Sequence, residues 1–173
     1  MSRHGYSDDG DDDPLALGRW RGAVASTIRG KQGQAFLREV LAALDAIPSK
    51  RLIREELRTV EGEFCTLGAL GAVRGIDLES IDPEDYDAVA AAFGINAKLA
   101  QEIMWENDEI VGGFEYVDVV ICGPMRYLEQ HNRRVRLPSN NVAERRWRHM
   151  REWVAKNIKN QPEAAPIAKD ATP

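Results

Sequence analysis

Glu144-Arg145-Arg146-Trp147-Arg148-His149-Met150-Arg151-Glu152-Trp153-Val154-Ala155-Lys156-Asn157-Ile158 is the plainest helix in the chain. Trp147, Met150, Val154 and Ile158 recur at spacings of three and four, which aligns them on one helical face. Trp153 stands beside that stripe. Arg145, Arg146, Arg148 and Arg151 fall on its flanks and outer face. Asn141 to Glu144 has the arrangement of a capping box at the start.

The same periodicity appears upstream. Phe36, Leu37, Val40, Leu41 and Leu44 share one face of a helix that Pro48 ends, because the residue before a proline disfavours helical geometry. Trp20, Ala23, Val24, Thr27 and Ile28 mark an earlier helix, separated from it by Gly30-Lys31-Gln32-Gly33. Cys65 to Val73 reads as a helix rich in small residues. Asp82-Pro83-Glu84-Asp85 starts another that Gly94 stops, and Asn96 caps the next, with Leu99, Ile103 and Met104 inward. Two stretches read as β-structure: a hairpin over 50–66 turning at Glu61-Gly62, and a β-rich segment over 114–137 broken at Gly123-Pro124.

These readings predict an α+β, predominantly α-helical fold with about six helices and one or two small β-hairpins. Residues 1–14 are expected to be a disordered acidic leader and 15–159 a single globular domain, with 114–137 as a β-rich insertion. Residues 160–173, with three prolines, are expected to be a disordered tail.

Composition narrows the function classes. The 173 residues are 43% apolar and 29% charged, with a net charge of −5. No apolar run approaches the roughly 20 residues that span a bilayer, and the start of the chain is acidic where a secretory signal is basic. No membrane association and a cytoplasmic location in a bacterial host are expected. Cys65 and Cys122 lie far apart and read as free thiols, and no zinc spacing is present, so neither a metal nor a cofactor is expected. The charge is uneven: residues 1–13 carry one Arg against five Asp, and residues 133–173 carry ten basic against four acidic groups. Such asymmetry suits a contact surface for an acidic partner or nucleic acid.

Four features carry candidate chemistry. The backbone amides of the Gly30–Gly33 stretch, with Arg29 and Lys31, suit phosphate. That stretch resembles the Gly-x-x-Gly loop of KH domains, although Arg29 stands where those domains have an aliphatic residue. Cys65 precedes a helix, where a thiol gains thiolate character, but a nucleophile also needs a base, and His131 or His149 would have to supply it. Glu106, Asp108 and Glu109 crowd a helix C-terminus, where acids oppose the helix dipole, so they suit a metal or basic partner rather than helix stability. Arg145, Arg148 and Arg151 offer a basic helical surface. The chain lacks a dinucleotide fingerprint, a P-loop, a nucleophile elbow and a paired-histidine zinc motif.

Several segments form a pattern together: Arg19-Trp20-Arg21-Gly22-Ala23, Ile28-Arg29-Gly30-Lys31, Gly33-Gln34-Ala35-Phe36-Leu37-Arg38-Glu39, Cys65-Thr66-Leu67-Gly68-Ala69-Leu70-Gly71, Ala90-Ala91-Ala92-Phe93-Gly94-Ile95, Glu106-Asn107-Asp108-Glu109, and Glu144-Arg145-Arg146-Trp147 to Trp153-Val154. Over about residues 19–158 the chain resembles a family of small uncharacterised bacteriophage and prophage proteins of proteobacteria. The resemblance implies an accessory protein that acts by binding a host or phage macromolecule, including inhibition of a defence system such as CRISPR, and carries no activity to any residue. A protein partner is therefore expected, and a binding protein rather than an enzyme. Nucleic-acid binding through Arg29, Lys31 and the C-terminal arginines is the first alternative, and a hydrolase centred on Cys65 the second.

Overall fold

Phe36, Leu37, Val40 and Leu44 project from one face of helix α2 (Lys31–Ala46), and none is more than 2% exposed. Burial of such side chains contributes about 1.5–3 kcal/mol each, so this face organises the rest. Helices α1 (Pro14–Arg29), α3 (Thr66–Arg74) and α6 (Val142–Asn157) pack on α2. Helices α4 (Tyr86–Phe93) and α5 (Ala97–Asp108) pack on each other, and α5 also meets α1, α3 and α6. These contacts come from a computed structural model that describes residues 3–5, 14–119, 123–124 and 133–159.

The architecture is α+β and mainly helical, with six helices and one two-stranded antiparallel sheet among the described residues. Strand β1 (Phe114–Val119) pairs with β2 (Arg133–Pro138) in a register that sets Phe114 opposite Pro138 and Val119 opposite Arg133. The ribbon exposes Phe114, Tyr116, Val117 and Leu137, and the Arg136 guanidinium lies 3.6 Å from the centre of the Phe114 ring. Among the described residues no helix is long and apolar enough to cross a membrane. The solvated character expected of residues 6–13 and 160–173, and the position of Cys122 and His131, lie outside the described residues.

The structure corrects four local expectations. Gly30–Gly33 is not an open loop: Gly30 is the N-cap of α2, and Lys31, Gln32 and Gly33 form its first turn. Gly33 lets α1 and α2 approach closely, since a Cβ there would collide with the Thr27 carbonyl oxygen. The hairpin over 50–66 reduces to one bridge, Arg58 with Phe64, because Leu52 and Leu57 both turn into the core and Glu55 has a φ of +67° between them. Helix α4 starts three residues later than Asp82 suggests: Asp85 caps it, accepting from Asp87 N and Ala88 N, while Asp82 accepts from Glu84 N in the preceding turn. Asn141 occupies the N-cap of α6 without a side-chain capping bond. The other boundaries follow the sequence: Gly94 ends α4 and Asn96 caps α5 through Lys98 N.

Candidate functional site

The C-terminal turn of α5 carries Glu106, Asn107 and Asp108, all at most 9% exposed. Buried polar groups are retained only where partners satisfy them, and here they do. Asn107 Oδ1 accepts from Thr66 N at 3.1 Å and Thr66 Oγ1 at 2.8 Å, at the start of α3. Its Nδ2 donates to the Ile53 carbonyl at 2.9 Å and to Asp108 Oδ1 at 2.8 Å. Asn107 therefore fastens α5 to α3 and to the irregular segment between α2 and α3, and it fixes the direction of the Asp108 carboxylate.

That carboxylate is met by Arg3. Nε donates to Oδ2 at 2.5 Å and Nη2 to Oδ1 at 3.0 Å, a two-pronged guanidinium–carboxylate contact. Arg3 is 4% exposed. Burial works against its charge, but interaction with Cys65 and the hydrogen bonds to Asp108 outweigh that, and the pKa lies above the usual arginine value. The third guanidinium nitrogen, Nη1, points to Cys65 Sγ at 3.7 Å.

The residues after Arg3 are seated as well. His4 is buried, with Nε2 3.4 Å from Glu109 Oε1. Gly5 has a φ of +67°, and a Cβ there would collide with the Tyr86 ring. Arg3-His4-Gly5 is thus a tripeptide held in a groove formed by the end of α5, the start of α3 and Tyr86 of α4. The stretch read as an acidic leader holds one cation, Arg3, and that cation is buried in the domain.

Cys65 is the N-cap of α3, 1% exposed, and its sulfur accepts from Gly68 N at 3.4 Å. Among the described residues both hydrogen bonds to this sulfur come from donors, Gly68 N–H and the Arg3 guanidinium, where an activated nucleophile requires a base. His149 is turned to Glu106, with Nε2 2.7 Å from Oε2. The pocket is arranged to hold a guanidinium.

The remaining residues singled out in the sequence separate into two groups. Asp108 and Glu109 meet Arg3 and His4 at this pocket, while Glu106 is engaged separately with His149 of α6. The arginines of α6 do not form one basic face. Arg146 is buried, donating through Nη1 to the Leu52 carbonyl at 2.8 Å, and burial first of all lowers its pKa. Arg151 pairs with Asp45, Arg145 donates to the Phe114 carbonyl, and Arg148 is exposed. Arg29 and Lys31 lie with Arg38 and Lys159 at a separate cavity.

Sequence reasoning missed Arg3, Thr66, Asn107 and Arg146. The usable signal was in the acids themselves: carboxylates that oppose a helix dipole need a nearby cation, and the leader contains a single arginine. Among the described residues no group of three or more His, Cys, Asp and Glu side chains is arranged to hold a metal ion. No family model, curated protein or solved structure matches this chain.

Proposed function

We propose that this protein is a binding domain that recognises an arginine-bearing segment of a partner protein, and that Arg3 occupies the recognition pocket from within the chain. The observation that carries this reading is the two-pronged contact of Arg3 with Asp108 inside a pocket built wholly by other elements. Asn107, Thr66 and the Glu55 amide, which donates to Asp108 Oδ1 at 3.3 Å, hold the carboxylate independently of the N-terminal segment. A preorganised, buried acceptor loses little freedom when a ligand arrives. The reading agrees with the resemblance to phage and prophage accessory proteins, for which a host defence complex is one class of partner.

The test is titration calorimetry on the full-length chain and its Arg3→Ala variant with the peptide Ser-Arg-His-Gly. The vacated variant is expected to bind this peptide at least about tenfold more tightly than the intact chain does, because the internal occupant no longer competes. Lysine in place of the arginine should weaken binding, since an ammonium cannot form the two-pronged contact. A folded Arg3→Ala variant that binds no arginine peptide overturns the reading. If that variant does not fold, competition on the intact chain decides instead. A labelled arginine peptide should then bind the intact chain saturably and be displaced more readily by unlabelled arginine peptide than by its lysine analogue, and absence of saturable binding overturns the reading.

A further inference from the structure

Away from the Arg3 pocket, α1, α2 and the end of α6 enclose two adjoining cavities that share Arg29. One, of about 370 Å³, is lined by Arg29, Lys31, Arg38 and Lys159, with no acidic residue among its lining. The other, of about 340 Å³, is lined by Trp20 and Trp153 together with the apolar residues Val24, Ala25 and Ile28 and the polar residues Arg21, Glu102 and Asn157. We infer that the pair forms a nucleotide-unit site, with a phosphate among the four cations and a base against the two indoles, as in single-stranded nucleic acid.

The basic cavity is held in shape by Gln34, itself 6% exposed. Its Nε2 donates to the Ile28 carbonyl and the Asn157 carbonyl, both at 2.9 Å, and its Oε1 accepts from Lys159 N at 2.7 Å. One side chain thus joins the end of α1 to the end of α6. Lys159 Nζ donates to the Arg29 carbonyl, and Arg38 donates to the Gln34 and Lys159 carbonyls. Among the described residues no carboxylate pairs with any of the four cations.

Helix electrostatics explain only part of this clustering. Arg29 in the last turn of α1 and Lys159 beyond α6 sit at the negative ends of their helices, where cations are favoured. Lys31 is in the first turn of α2, at the positive end, where a cation is disfavoured. Its position is costly for the isolated fold and useful to a bound anion, which would also meet the free amides of that turn.

The second cavity decides between a bare anion and a nucleotide. Indole faces bind bases of any identity, and stacking beside a positive groove is how single strands are held. Glu102 also lines this cleft, and a carboxylate there disfavours a phosphate, which directs the phosphate to the cationic side. The site uses none of the residues of the Arg3 pocket, so the two readings fail independently.

The test is fluorescence anisotropy of the full-length chain with a labelled single-stranded oligonucleotide of about 12 nucleotides at low salt. Mononucleotide, duplex and inorganic phosphate serve as competitors. The single strand is expected to bind with a log–log salt slope of about −0.7, the value for the one phosphate held by this site. Lys31→Glu should weaken binding by on the order of tenfold and flatten that slope. The same change places an acid in the first turn of α2, so it should not lower thermal stability. Trp20→Leu should weaken binding by about tenfold with the slope kept, because it removes stacking and no charge. Competition by mononucleotide at micromolar concentration marks a free nucleotide as the natural source, and competition by single strand alone marks nucleic acid. Both support the site. Absence of binding, equal competition by inorganic phosphate or duplex, or a Lys31→Glu variant that binds as the parent does would overturn it.

Discussion

Arg3 and Asp108, 105 positions apart, share two hydrogen bonds in a pocket where both side chains are 2% exposed. The two partners are not equivalent. Asp108 ends a packed helix, whereas Arg3 lies outside the helices of the described residues. Arg3→Ala strands a buried carboxylate and should lower unfolding free energy by about 3–5 kcal/mol. Asp108→Asn should cost less, since the released Arg3 finds solvent. Urea denaturation followed by circular dichroism checks this order, and equal losses would contradict a docked N-terminal segment.

Gly68 tests helix propensity against packing. In the interior of α3 a change to alanine should gain up to about 1 kcal/mol from propensity. A Cβ at this position would instead collide with the Leu57 carbonyl oxygen, a backbone atom that cannot rotate away. Gly68→Ala is therefore expected to destabilise by more than about 2 kcal/mol. Gly22 in α1 has open space around its own Cβ position, so Gly22→Ala should stabilise by up to about 1 kcal/mol. Thermal melts of the two variants should move in opposite directions.

Asp45 supplies a pH test of the contact between α2 and α6. The hydrogen bond from Arg151 holds its carboxyl below the ordinary aspartate pKa, aided by the charges of Arg151 and Lys50 and opposed by slight desolvation. A depressed carboxyl contributes stability that is present above its unfolded pKa of about 3.9 and lost as pH falls through the lower folded value. The pair should thus be intact at neutral pH and fade only in acid. Its contribution is small because both groups are largely exposed. A carboxyl-carbon NMR titration should place the Asp45 midpoint below the ordinary value, and Arg151→Gln should return it there. An unmoved midpoint in the variant would show that the pair does not form in solution.

Much of the fold was legible in residue spacing. The stripes Phe36–Leu44 and Trp147–Ile158, the stop at Gly94 and the cap at Asn96 are local signals, satisfied within one or two helical turns. The irregular course of 50–66 was not legible. Leu52 and Leu57 both face the core, and alternation along the chain cannot express a backbone that kinks at Glu55 to bring this about. The α6 arginines failed for a related reason: Arg145, Arg146 and Arg148 are near neighbours in sequence, yet Arg146 is buried against the Leu52 carbonyl and Arg148 is exposed.

By itself the sequence determined the class of fold, because apolar periodicity and capping are properties of short stretches of chain. It also marked the acids at Glu106, Asp108 and Glu109 as out of place at a helix end. Only the tertiary structure decided what they meet. Arg3, Cys65 and Asp108 become neighbours through the packing of α3 against α5 and the docking of the N-terminal segment. Likewise Lys159 joins Arg29 and Lys31 because Gln34 ties the end of α6 to the end of α1. Long-range proximity follows from how helices share a core, and no local pattern of residues encodes it.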